Sequence, residues 1–256
     1  MAKRNTKSYL KLREQIQESF NFVYIVSQAV PCLKLQSSLV KKGVIQELPS
    51  PDYFTKPNPI EQIDIQVKGY KNELSKYILL SSFSYFESFV VDVVKEVIDF
   101  HGGETAFEFN AKKYVTKTMH NQSNNYTKEK TILSKTDPRQ INRRQFATQK
   151  LNQENFIFPS ALLTHLGVKA LIQKLNNLKS VDIPKLMIDA FCMEWNENDI
   201  SNFHTMREKR NNIAHGDTVK LDIKSVIQMN TQIRDIALKI DQHLIHHFFI
   251  SEKHII

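Results

Sequence analysis

From Leu74 to Phe100 the chain repeats apolar residues at the spacing of one helix face. Leu79, Phe83, Phe86, Val90, Val93, Val94 and Val97 share that face, while Asp92, Lys95 and Glu96 lie elsewhere. It is the strongest helical signal in the sequence, and His101-Gly102-Gly103 closes it. An earlier helix is expected over 5–38 (Leu10, Leu12, Ile16, Phe20, Phe22, Val23, Ile25, Val26), with Pro31 ending or kinking it near its C-terminal third. Gly43–Pro59 holds four prolines and reads as a loop or linker, after which a helix begins near Ile60 with Gly69 as a weak point. Towards the C-terminus, shorter amphipathic helices are expected at Gly167–Leu178 and Ile183–Met193, the second with Pro184 in its first turn. A helix from about Asp199 to His215 follows. The last, Leu221–Phe249, carries Ile223, Val226, Ile227, Ile233, Ile236, Ala237, Ile240, Leu244 and Phe248 on its core face. No alternating strand blocks and no fixed repeat occur, so the expected fold is all-α, a bundle of long antiparallel helices with shorter ones between.

Residues 104–160 break this pattern. They are rich in Asn, Gln, Thr and Lys, with short helices plausible only at 109–119 and 138–152. Charge explains why they matter. The net charge of the chain is +8, and residues 109–153 hold ten Lys and Arg against Glu129 and Asp137, which by itself amounts to +8. A basic block of this kind suits a polyanion such as RNA, through Lys112, Lys113, Lys117, Arg139, Arg143 and Arg144; a solvated basic loop has the same composition. Tyr114, Tyr126 and Phe146 could stack on unpaired bases or fill a small satellite core. The organisation expected is one domain over 1–256, with 1–58 as an N-terminal helix and Pro-rich linker and 104–160 as a basic insertion. Cys32 and Cys192 cannot make a disulfide framework, and no signal-peptide run follows the basic N-terminus. No stretch stays apolar for ~18 residues, so a soluble, cytoplasmic chain without a membrane span is expected.

Two charges disobey the helical pattern. At about 100° per residue, Phe203, Met206, Ile213 and Ala214 form one stripe with Arg210 in its middle. Asn211 and His215, spaced i and i+4, share a neighbouring flank, and Gly216 stops the helix before Asp217. Glu87 falls inside the apolar stripe of the 74–100 helix, with the opposite sign. A charge on a core stripe is costly unless it is paired or faces a crevice. Other chemistry is weaker. No phosphate-cradling glycine loop, Cys-x-x-Cys pair or His-Glu-x-x-His helix is present. His243, His246 and His247 could share a metal but read better as a surface face, and Cys192 and Trp195 read as core.

Arg210-Asn-Asn-Ile-Ala-His-Gly216 resembles the signature of HEPN domains (higher eukaryotes and prokaryotes nucleotide-binding), closest to bacterial HEPN ribonuclease-like families. In these an Arg is followed by a polar residue and then, after a short spacing, by a His. The Tyr85–Phe89 run on a long helix and the long helix after the motif agree with it, so the resemblance covers 74–101 and 168–250. It implies metal-independent RNA cleavage with no cofactor, yielding a 2′,3′-cyclic phosphate. His215 would move a proton as acid or base, Arg210 would hold the scissile phosphate, and Asn211 would orient the imidazole or the phosphate. Glu87 would pair with Arg210 and fix its direction. Because one motif supplies a single His, the resemblance implies a homodimer. It also implies RNA as substrate and a toxin or antiphage-defence setting, with an antitoxin or defence partner. Two other readings stay open: a non-catalytic HEPN-like RNA-binding or interaction module, and a purely structural Arg210–Glu87 pair.

Overall fold

A computed structural model describes residues 5–48, 59–114 and 167–251, together with positions 142, 143, 146, 147 and 150. Among these every regular element is helical. α1 runs over Lys7–Lys41 and α2 over Ile60–Phe100; α3 (Glu104–Tyr114), α4 (Val168–Asn176) and α5 (Ile183–Phe191) are shorter. A 3-10 turn at Ser180–Asp182 leads into α5; α6 spans Glu197–Ala214 and α7 spans Ile223–His247. The all-α expectation holds. Of the short helices expected in the basic insertion, the first appears as α3, and the described positions of the second are helical.

α2 is the axis of the bundle because its apolar stripe is the most continuous. All seven residues of that stripe, Leu79 to Val97, are buried, and α1, α6 and α7 pack along it. Its 41 residues make it about 60 Å long. Contrary to the sequence expectation, α2 contains a stretch apolar enough, by length and composition, to cross a membrane. Half of that stretch is buried inside the bundle, which is how a core helix satisfies a wide apolar face.

Polar groups fix how the long helices sit. Thr6 caps α1, its Oγ1 accepting from the Tyr9 N–H at 3.1 Å. The buried Asp241 carboxylate of α7 accepts from the Thr6 N–H at 3.0 Å and from Asn5 Nδ2 at 2.9 Å. Glu96 of α2 accepts from the Lys7 and Ser8 N–H groups at 3.1 and 3.0 Å. Two carboxylates from two helices thus meet the start of a third, where free N–H groups favour anions. At the same, C-terminal end of α2, His101 Nε2 lies 2.7 Å from the Phe248 carbonyl and the ring stacks on Phe107 of α3.

Several expectations need correction. α1 passes through Pro31 instead of ending there. Beyond the proline it is still held to α2, by Ser37 Oγ donating to Asp64 at 2.8 Å and by a Lys41–Asp64 ion pair, and this outweighs the missing N–H. Cys192 is exposed rather than core, since it terminates α5 in the left-handed conformation with φ 51°, which turns its side chain off the buried face. Trp195 is partly buried, edge-on to Phe203 at 5.9 Å. Phe22 and Ile25 of α1 are exposed, off the face that packs on the bundle, and Ile227 is 43% exposed at the margin of the α7 stripe.

Candidate active site at the end of α6

α6 is nucleated by Asn196, whose Oδ1 accepts from the Asp199 N–H at 2.7 Å. Its buried footprint is short. Phe203 and Met206 are buried, and the Phe203 ring centroid lies 5.5 Å from that of Phe83 and 6.0 Å from that of Phe86. Past Met206 the apolar footprint thins: Ile213 is half-buried, and Ala214, expected on the core stripe, is exposed. Arg210 therefore sits where the apolar contact gives out, with 26% of its side chain exposed.

The two pattern-breaking charges meet. Arg210 Nη2 is 3.1 Å from Glu87 Oε2, and Nη1 donates to Asn211 Oδ1 at 3.1 Å. The guanidinium carbon stands 6.0 Å from the centroid of the Phe83 ring, over its face. Two anchors and a ring leave the fork little freedom. Nε is buried with no acceptor.

The end of α6 is a Schellman turn. Gly216, at φ 85°, donates its N–H to the Ile213 carbonyl at 3.1 Å, and Asp217 donates to the Asn212 carbonyl at 2.9 Å. This turn holds His215 as the capping residue at the rim, with its side chain exposed. Among the described residues its imidazole has no hydrogen-bond partner. Asn211 shares the His215 flank, but its oxygen is taken by Arg210; the structure joins it to the guanidinium and not to the imidazole. Arg210, Asn211 and Glu87 are brought together; His215 joins them only through its backbone N–H, which donates to the Asn211 carbonyl at 2.9 Å, and its imidazole touches none of them among the described residues.

Sequence reasoning passed over Arg207. It lies one turn before Arg210 on the same flank, with a buried Nε that has no acceptor, and it makes no ion pair among the described residues. Its position i−3 to Arg210 and i+4 to Phe203 was the available signal. Against the same stretch of α2 opens a cleft of about 390 Å³, in which Glu87, Ser88 and Asp92 face Asn176, Asn177 and Ser180.

Of the basic candidates, Arg143 is exposed. Lys112 and Lys113 fall on the last turn of α3, while Lys117, Arg139 and Arg144 lie outside the described residues. α3 begins about 20 Å along α2 from Glu87 and packs on α4, the helix whose end borders the cleft. The histidines of α7 are engaged locally: His243 Nε2 lies 2.7 Å from the Phe191 carbonyl, and the His243 and His247 rings are 4.7 Å apart. Among the described residues no group of three His, Cys, Asp or Glu side chains is placed to hold a metal ion.

This arrangement offers forked donors on a fixed guanidinium, a second arginine one turn earlier on α6 and an accessible imidazole at the rim. Those are the groups a phosphodiester requires for binding and proton transfer. Among curated proteins and solved structures nothing matches the chain. The family model RiboL-PSP-HEPN matches residues 52–246, a span that takes in all but one residue of the helices from α2 to α7 and contains Glu87, Arg210 and His215. That match bears out the resemblance read from the motif and points to a function connected with nucleotides or RNA. The chain is a member of the RiboL-PSP-HEPN family.

Proposed function

We propose that the chain is a metal-independent endoribonuclease that works as a homodimer. The observation that carries this is Arg210, a half-buried guanidinium fixed by Glu87 and Asn211 at 3.1 Å each, next to a helix end that presents His215. The ribose 2′-hydroxyl attacks the adjacent phosphorus and the bond to the 5′-oxygen breaks, leaving a 2′,3′-cyclic phosphate and a 5′-hydroxyl. Arg210 takes the phosphate oxygens and the charge that builds on them, and Glu87 holds its direction. The Asn211 amide adds a donor, and Arg207 adds a second cation. His215 moves one of the two protons. Among the described residues a single imidazole, His215, stands at this site, so His215 of a second copy moves the other.

Lys112, Lys113, Lys117, Arg139, Arg143 and Arg144 hold the RNA strand by charge. RNA cleavage by such a site fits a toxin or antiphage-defence role, restrained by an antitoxin or a defence-system partner protein. Purified chain incubated with single-stranded RNA in EDTA tests the chemistry. Cleavage with cyclic-phosphate ends is expected, reduced by at least about 10²-fold in Arg210→Ala and His215→Ala. Unchanged cleavage in either variant rules out the assignment.

One observation favours a second reading, a non-catalytic RNA-binding or protein-interaction module: the exposed His215 ring has no hydrogen-bond partner to orient it among the described residues. Salt-sensitive RNA binding with no cleavage in the same assay would select that reading.

A further inference from the structure

We propose that the cleft of about 390 Å³ beside Glu87 is a nucleobase subsite for the nucleotide next to the scissile phosphate, selective for a base that carries an exocyclic amino group. The inference rests on the ribonuclease reading and adds to it what the site selects. Glu87 is a wall of both places: its Oε2 accepts from Arg210, and the residue also lines the cleft. A phosphate on the Arg210 fork therefore carries its attached nucleoside to the mouth of the cleft.

The lining says what enters. Among the described residues no Lys, Arg or His side chain lines it, and two carboxylates do, Glu87 and Asp92. The opposite wall is the C-terminal end of α4, where Asn177 is the capping residue and helix carbonyls point outward. This environment repels phosphate and favours hydrogen-bond donors. Between the polar groups, Val91, Leu178 and Ile183 supply apolar sides suited to a flat neutral ring. The volume lies within the range of roughly 300–1,000 Å³ typical of sites for one small organic group. Asp92 uses one oxygen, Oδ2, on Lys11 at 2.9 Å, and its other oxygen has no partner among the described residues. Adenine, cytosine and guanine bring an amino group to such acceptors. Uracil brings two carbonyl oxygens and one N–H, and is disfavoured.

The test uses the full chain and a set of single-stranded oligonucleotides identical but for the base at one position, with cleavage mapped at that position. Preference for amino-bearing bases over uracil of roughly 5- to 100-fold is expected. Asp92→Asn, which can donate to a uracil carbonyl, should bring that ratio close to one while total cleavage persists. Lys11→Gln removes the same surface ion pair without touching the cleft and should leave the ratio intact. Cleavage with no base preference, or a preference that Asp92→Asn leaves unchanged, overturns the subsite and leaves the ribonuclease reading standing. Absence of all cleavage by folded protein counts against the ribonuclease reading instead. The subsite is then judged by anisotropy binding of the same oligonucleotides, where the same order and the same loss in Asp92→Asn are required.

Discussion

Glu87→Gln keeps the shape of the side chain that holds Arg210 and removes only its charge. The pair is partly exposed, 26% and 27% on the two side chains, so water screens it and the variant should stay within about 1 kcal/mol of the parent in unfolding free energy. Cleavage responds differently, because a guanidinium that swings by an ångström no longer meets the phosphate in the transition state. A loss of roughly 10-fold to 10²-fold in kcat with an unchanged melting curve is the expected outcome. Equal loss of stability and activity would mean that the pair is merely structural. At this scale the sequence was informative where it conflicted with itself: Arg210 and Glu87 were legible as charges on apolar stripes, and they pair. Arg207 was not, since a charge at the margin of a stripe violates no pattern. The partner of Asn211 was also hidden. Its flank is shared with His215, and only the rotamer of Arg210 shows that the amide oxygen is used there.

Helices were legible where one periodic face ran long enough, as in α2 and α7, and misjudged where a local breaker met a tertiary hold. Pro31 weakens a helix in isolation, yet α1 passes through it and is held to α2 beyond it by the Ser37 and Lys41 contacts with Asp64. The reverse error came at the end of α6. Its apolar spacing continues to Ala214, but Ala214 is exposed, and no periodicity reports where burial stops. The start of α7 gives a pH-dependent check on element stability. Asp222 caps it, Oδ1 accepting from the Ser225 N–H at 3.0 Å. The Ser225 hydroxyl, and then its N–H, hold the carboxyl below its ordinary value. A carboxyl depressed in the folded state contributes stability that is complete above the unfolded pKa and is lost as pH falls through the folded value. Asp222→Asn keeps an acceptor but cannot titrate. The melting-temperature advantage of the parent over this variant at neutral pH should therefore vanish in strong acid. An advantage that persists there would place the effect elsewhere.

For the whole molecule, the question is whether one chain suffices. His215 stands exposed at a helix end, with no second acid or base beside it among the described residues, whereas cleavage of a phosphodiester needs a proton taken and a proton given. A two-fold dimer that faces one α6 end with another supplies both from identical residues. Sedimentation at micromolar concentration should show a dimer, but mass alone does not show shared sites. Mixing does. If parent and His215→Ala chains exchange freely at equal amounts, about one quarter of the dimers carry two intact imidazoles, while independent sites would keep about half of the activity. Residual cleavage near one quarter, falling with the square of the parent fraction as more variant is added, is the outcome that the shared site requires. A linear fall would show that each chain completes its own site, and the second proton carrier would then have to lie within the same chain.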